Sequence, residues 1–230
     1  MKALKKILIS FGAIILVCIL LLCVLLATVL YPSALVSGDG EMRIVCVGDS
    51  ITYGQGVIGS RRTNTYTAML AELTDSTVVN YGLCNRTLLS VGDMPYTSEK
   101  HYAASLLEDA DVVIIMLGSN DSKPAFWNKE AFISEYRTFA ESYLNMISSP
   151  QVYLMIPPKI YVSQDGGNCD DSVVGGELAD AVRSLGDELN LEVIDLYTLT
   201  TNHPEWFADG LHPNAEGNAA IAEEISKYIK

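Results

Sequence analysis

Four short polar segments of this 230-residue sequence carry the residue types that acyl transfer requires. They read GDSIT at 48–52, NYG at 80–82, GSND at 118–121 and DGLHP at 209–213. A serine hydroxyl attacks a carbonyl carbon when a histidine takes its proton and a carboxylate orients that histidine. An asparagine amide and backbone N–H groups can stabilise the oxyanion that forms. Together the segments predict chemistry by a serine nucleophile.

Each segment also has an ordinary structural explanation when it is taken alone. A serine after a strand is usually a helix cap or a turn residue, and Asp-Gly is a common turn. The positions of the segments are more informative, because the first three follow apolar runs and the fourth directly precedes the last predicted helix. Ligand sites of open α/β sheets lie beyond the carboxyl ends of the strands, so we expect the segments to converge there.

Short apolar runs alternate with amphipathic stretches from residue 43 onwards, which is typical of βαβ units. The run VVIIML at 112–117 is apolar at every position, as expected for a strand buried on both faces of a sheet. The pattern predicts an α/β fold, a three-layer α/β/α sandwich around about five parallel strands. The predicted strands are Arg43–Val47, Thr77–Tyr81, Asp111–Leu117, Gln151–Ile156 and Leu191–Asp195, and the predicted helices lie near 64–73, 98–108, 129–147, 176–190 and 214–229.

Aromatic side chains in two segments could in principle either pack in the core or line a ligand pocket. Trp206 and Phe207 stand just before Asp209, where they either wall a substrate pocket or pack against the last helix. Helical spacing in the segment 129–147 instead predicts a stripe that faces the core. Its members are Phe132, Tyr136, Phe139, Tyr143 and Ile147.

The four segments together closely resemble the four sequence blocks of the SGNH, or GDSL-type, hydrolases, over a length from Arg43 to the C-terminus. The resemblance implies a flavodoxin-like SGNH hydrolase fold and carboxylic ester hydrolysis without a metal or other cofactor. It implies Ser50 as nucleophile, His212 as general base and Asp209 as the residue that orients the histidine. It further implies an oxyanion hole formed by the backbone N–H groups of Ser50 and Gly82 and the side-chain amide of Asn120.

The second block departs from the family pattern N-x-G-x-x-G, because Asn85 occupies the sixth position. Asparagine tolerates left-handed backbone angles better than most residues, so we expect the loop to keep its course. We expect Asp49 and Asp121 to hold their loops by hydrogen bonding rather than to take part in catalysis.

Charge and composition exclude several classes of protein. Fifteen Lys and Arg against 28 Asp and Glu give a formal net charge of -13, which disfavours a nucleic-acid partner. A hydrophobic content of 49% excludes a disordered chain. No His/Cys group has the spacing of metal ligands. A disulfide between Cys84 and Cys169 is left open by the sequence.

The N-terminus differs in composition from the rest of the chain. The segment from Ile7 to Leu30 contains no charge, and as a helix it would extend about 36 Å, enough to cross a hydrocarbon core of about 30 Å. The three lysines that precede it should stay cytoplasmic. We therefore predict a single-pass signal anchor in residues 1–30, a linker over 31–42 and an extracytoplasmic hydrolase domain over 43–230. A cleaved signal peptide, which would give a secreted protein, and a buried core helix are the alternatives.

The leading functional hypothesis is a membrane-anchored serine esterase that removes short acyl groups, acetyl above all, from glycans or small esters. A lysophospholipase or thioesterase and an acyltransferase are alternatives within the same family. A catalytically silent surface-binding module with the same fold is the alternative from another class.

Overall fold

The computed structural model describes residues 15–20, 34–161 and 168–229, which fall into two units, 1–33 and 34–230. Residues 15–20 of the first unit are helical. The rest of the predicted membrane segment lies outside the described residues. No helix within the described ranges is both long and apolar enough to cross a bilayer.

The second unit is built on a sheet of six strands. The strands are β1 Leu35–Ser37, β2 Arg43–Gly48, β3 Thr77–Asn80, β4 Val112–Met116, β5 Gln151–Ile156 and β6 Glu192–Asp195. They lie in the order β1-β3-β2-β4-β5-β6. Strands β2 to β6 run parallel and confirm the five predicted strands, and β1 adds a sixth that pairs antiparallel with β3.

Strand β1 lies within the segment 31–42 that the sequence assigns to a linker. Gly38 directly after it has a φ of 72°, and an added Cβ there would lie 2.1 Å from the carbonyl oxygen of Ser76. A residue with a side chain would therefore clash with the turn that precedes β3. Gly38 thus lets the chain approach the sheet edge closely.

Helices cover both faces of the sheet, as a three-layer sandwich requires. The helices are α1 Ser50–Tyr53, α2 Arg61–Asn64, α3 Tyr66–Thr74, α4 Lys100–Ser105, α5 Lys129–Leu144, α6 Asp171–Val173, α7 Ala179–Leu189, α8 Leu196–Thr200 and α9 Ala215–Ser226. In β4, Val113 and Ile115 pack with α5 and α7, while Ile114 and Met116 pack with α3 and α9.

The aromatic stripe of α5 faces the core as predicted, except at its end. Phe132, Tyr136, Phe139 and Tyr143 are buried, whereas Ile147 is fully exposed. Helix α5 ends at Leu144, and the chain turns away before Ile147 can reach the core.

The connections determine where the loops meet. From β2 the chain passes to β3 on one side, and then to β4 on the other side of β2. This change of direction is a topological switch point, and doubly wound sheets bind ligands at the carboxyl ends of the strands that flank such a point.

Candidate active site

Ser50 begins helix α1 directly beyond the end of β2. The side chain of Asp49 caps this helix by accepting a hydrogen bond from the Ile51 N–H at 2.9 Å. Gly48 allows the tight exit from the strand, because a Cβ there would lie 2.2 Å from Thr52 Oγ1 and 2.6 Å from the Met116 oxygen. Ser50 Oγ is thereby directed to the carboxyl edge of the sheet, and the residue is 7% exposed.

His212 comes from the other end of the domain and contacts Ser50 directly. Its Nε2 lies 2.9 Å from Ser50 Oγ, and its Nδ1 lies 2.6 Å from Asp209 Oδ2. The other carboxylate oxygen of Asp209 accepts the backbone N–H groups of Leu211 and His212 at 2.9 and 2.7 Å. The structure therefore joins the three predicted residues in one hydrogen-bonded chain.

The environment of Asp209 favours the ionised form. Partial burial opposes ionisation, but the hydrogen bonds from the His212 backbone and ring and from the Leu211 N–H hold its pKa below the ordinary value. A carboxylate at Nδ1 fixes the ring proton on that nitrogen and leaves Nε2 as the acceptor for the Ser50 hydroxyl. This is the tautomer that a general base needs.

Gly82 allows the second loop to pack against α1. A Cβ at this position would lie 2.1 Å from the Tyr53 nitrogen, at the end of α1. Its N–H donates to Asn80 Oδ1 at 2.9 Å. The lack of a side chain therefore lets the loop approach the helix that carries Ser50, and the assignment of the Gly82 N–H to the oxyanion hole stays a prediction.

Asn120 is buried beside Asp49, at the start of the loop that follows β4. Its amide Nδ2 donates to the Arg86 carbonyl oxygen at 3.1 Å and lies 3.5 Å from Asp49 Oδ2. The amide thus connects the first and third segments with the loop of the second. Its position at the carboxyl edge of the sheet is compatible with the predicted oxyanion role.

Asp49 and Asp121 are buried carboxyl groups that hold loops, as predicted. Asp121 accepts the backbone N–H groups of Leu88 and Leu89 at 3.1 and 2.7 Å. Burial raises the pKa of Asp49 to about 6 and that of Asp121 to about 7, against the lowering effect of their hydrogen bonds. The Asp121 carboxylate thus holds the loop 88–89.

The loop of the second segment keeps its course despite the missing glycine. Asn85 has a φ of 66°, the left-handed conformation that the sequence led us to expect of it. Arg86 holds this loop through a hydrogen bond to the Cys84 carbonyl and an ion pair with Glu99. Cys84 is a free thiol that contacts Gln55, so it does not form the disulfide with Cys169 that the sequence left open.

Two asparagines outside the predicted triad and oxyanion hole support the site. Asn80 donates to the Thr52 carbonyl at 2.6 Å and so fixes α1 from the end of β3. Asn218 donates to the Pro213 carbonyl at 2.8 Å and accepts the Tyr66 N–H, so it ties the segment next to His212 to α3. The sequence signal that could have indicated Asn218 is a lone amide among the apolar residues of the last helix, because a buried amide needs hydrogen-bond partners.

Trp206 and Phe207 both make packing contacts with neighbouring side chains or helices. Trp206 stacks on His203 with ring centroids 3.8 Å apart and lies against Gly217 of α9. Phe207 packs against Tyr161. Within the described parts of the chain, no group of His, Cys, Asp and Glu is arranged to hold a metal ion.

Comparison with known proteins agrees with the geometry. The profile of the GDSL-like lipase/acylhydrolase family matches residues 46–220. The chain belongs to this family. This GDSL-family chain is 31% identical over 213 residues to an acetylxylan esterase of Xylanibacter ruminicola, and 26% identical over 171 residues to a GDSL esterase/lipase of Oryza sativa, WDL1. The alignments cover 82% and 65% of this chain but only 43% and 62% of those proteins.

Solved structures show the same fold. Est24, a carbohydrate acetylesterase from Sinorhizobium meliloti, gives a TM-score of 0.67 at 21% identity. The aryl esterase of M. smegmatis gives 0.66 at 20% identity. Each match covers 82% of the GDSL-family chain and 98% of the solved one. The fold is therefore that of the SGNH hydrolases, with a six-stranded, mostly parallel sheet.

Proposed function

We propose that this GDSL-family domain is a serine carboxylic ester hydrolase in which Ser50 is the nucleophile. The observation that carries the proposal is the unbroken chain of hydrogen bonds from Ser50 Oγ through the His212 ring to Asp209. A capping role does not account for Ser50, because Asp49 already caps α1.

The reaction follows from this geometry. His212 Nε2 takes the hydroxyl proton as Ser50 Oγ attacks the ester carbonyl, and Asp209 stabilises the imidazolium that forms. The N–H groups of Ser50 and Gly82 and the Asn120 amide donate to the oxyanion, the last two in place of their contacts with Asn80 Oδ1 and the Arg86 carbonyl. The tetrahedral intermediate then expels the alcohol, which takes the proton from His212, and leaves an acyl-serine. Water activated by the same histidine attacks the acyl-serine and releases the acid.

The substrate class that we propose is a short acyl ester, with acetyl groups on glycans first. Support comes from the relative named as an acetylxylan esterase, with which most of the domain aligns. Lysophospholipid or thioester hydrolysis and acyl transfer to another acceptor would use the same three residues. A catalytically silent module is disfavoured, because nothing in a binding role requires the Ser50–His212–Asp209 chain.

Turnover of a series of p-nitrophenyl esters tests the proposal. We expect the full-length protein in detergent to hydrolyse the acetyl ester with a kcat/KM at least about tenfold above that of the decanoyl ester. Faster hydrolysis of the decanoyl ester would favour a lipid substrate instead. Release of no p-nitrophenol, together with no labelling by a fluorophosphonate probe, would favour the silent module.

The membrane location is part of the proposal and rests on the sequence alone. The uncharged segment from Ile7 to Leu30 after three lysines supports a signal anchor with the esterase domain outside the cytoplasm. After expression in a bacterial host, the full chain should remain in the membrane fraction through alkaline carbonate extraction. Recovery of a shortened chain from the medium would contradict the anchor and favour a cleaved signal peptide.

A further inference from the structure

Asp209 and His212 lie on a segment with little regular structure of its own. Between α8, which ends at Thr200, and α9, which begins at Ala215, the only helical turn is the 3-10 turn Pro204–Trp206. Helices and strands hold catalytic groups more accurately than loops do, so such a segment needs outside contacts to fix it.

Tyr161 makes three hydrogen bonds to this segment. Its hydroxyl donates to the Thr200 carbonyl at 2.6 Å and accepts the His203 N–H at 2.7 Å. Its backbone N–H donates to the Gly210 carbonyl at 2.8 Å. The ring packs against Phe207 with centroids 5.6 Å apart. One residue therefore contacts the segment where it leaves α8, in its middle and directly after Asp209.

Tyr161 is itself tied to the sheet that carries the nucleophile. It lies five residues beyond β5, and its two predecessors are fixed as well: the Lys159 N–H donates to Thr200 Oγ1, and the Ile160 N–H donates to Asp171 Oδ1. Strand β5 pairs with β4, and β4 pairs with β2, which leads to Ser50. The contacts of Tyr161 therefore relate the position of Asp209 to the same sheet that positions Ser50.

We infer that Tyr161 is a positioning residue for the Asp209–His212 pair, an inference that rests on the proposed esterase function. It acts on catalysis through the course of the segment 200–210 and does not touch the ester. The hydroxyl is the specific element, because it serves as donor and acceptor at once, and phenylalanine can do neither.

The test compares Tyr161→Phe with Tyr153→Phe. Tyr153 is the matched control, because its hydroxyl also donates to a backbone carbonyl, that of Tyr228 at 2.9 Å, but far from Asp209 along β5. We expect similar small decreases in melting temperature for both variants. Only Tyr161→Phe should lower kcat for p-nitrophenyl acetate, by about 10- to 100-fold with KM unchanged, since a small misplacement of a catalytic group has effects of that size.

A second readout does not depend on turnover. The proton on His212 Nδ1 should give a low-field NMR resonance, assigned by its loss in His212→Gln, that shifts or broadens in Tyr161→Phe and not in Tyr153→Phe. Equal activity losses in the two variants with an unchanged resonance would overturn the role of Tyr161. If the wild type hydrolyses no ester, the proposed function fails, and the resonance alone still decides whether Tyr161 positions the pair.

Discussion

Ser50→Ala is expected to lower kcat for p-nitrophenyl acetate by about 10⁶-fold, to the level of background hydrolysis. The change removes the atom that forms the acyl-enzyme, and neither His212 nor Asp209 can supply another. The fold should survive, because Ser50 Oγ has His212 Nε2 as its hydrogen-bond partner and the loss of one such bond costs about 1 kcal/mol. Initial rates and fluorophosphonate labelling of the purified variant measure both consequences.

Ser76→Ala provides the matched control for this variant. Ser76 is also buried, and its hydroxyl donates to the Thr74 carbonyl at 3.1 Å. It precedes β3 and so lies at the amino end of that strand, away from the carboxyl ends of the strands. This variant should keep wild-type turnover and labelling. Retention of more than about a tenth of the activity by Ser50→Ala would mean that another group is the nucleophile.

The parallel core of the fold could be predicted because its strands are buried on both faces. A run such as Val112–Met116, apolar at every position, has few alternatives once helices are expected on either side. Strand β1 could not be predicted in this way. It has three residues, Val36 in its middle is exposed, and it exists because Leu35–Ser37 pairs with β3, a contact between distant parts of the chain.

In the site, too, some features could be predicted from the sequence and others depend on the course of the backbone. The residue types of the four segments and their resemblance to the SGNH hydrolases were enough to predict that Ser50, His212 and Asp209 lie together. The close packing of Gly82 could not be predicted in that way. Its N–H donates to Asn80, its missing side chain makes room for α1, and both contacts depend on the path of the loop. Tyr161 was missed because it lies in a proline-rich loop without a motif, and its partners follow it by about 40 to 50 residues.

Asp209→Asn is expected to lower kcat by about 10⁴-fold while the local turn survives. The amide oxygen can still accept the backbone N–H groups of Leu211 and His212. The amide nitrogen would then replace Oδ2 and donate to His212 Nδ1, which moves the ring proton to Nε2. With a proton on Nε2, the histidine faces the Ser50 hydroxyl as a donor and cannot take its proton. Steady-state rates with p-nitrophenyl acetate measure the loss.

Asp195→Asn separates this effect from the general cost of removing a carboxylate. Asp195 also accepts a backbone N–H three residues ahead, that of Thr198 at 2.9 Å. Burial opposes its ionisation, but hydrogen bonds hold its pKa below the ordinary value, as they do for Asp209. The Asp195 side chain contacts Arg183, whereas that of Asp209 contacts His212.

The two variants should lose comparable stability at neutral pH, because each gives up a carboxylate that the fold keeps ionised. Only Asp209→Asn should lose turnover, since only there does the carboxylate set the tautomer of the base. Turnover of Asp209→Asn within about tenfold of wild type would show that His212 is oriented without Asp209. Asp209 would then have no part in the mechanism.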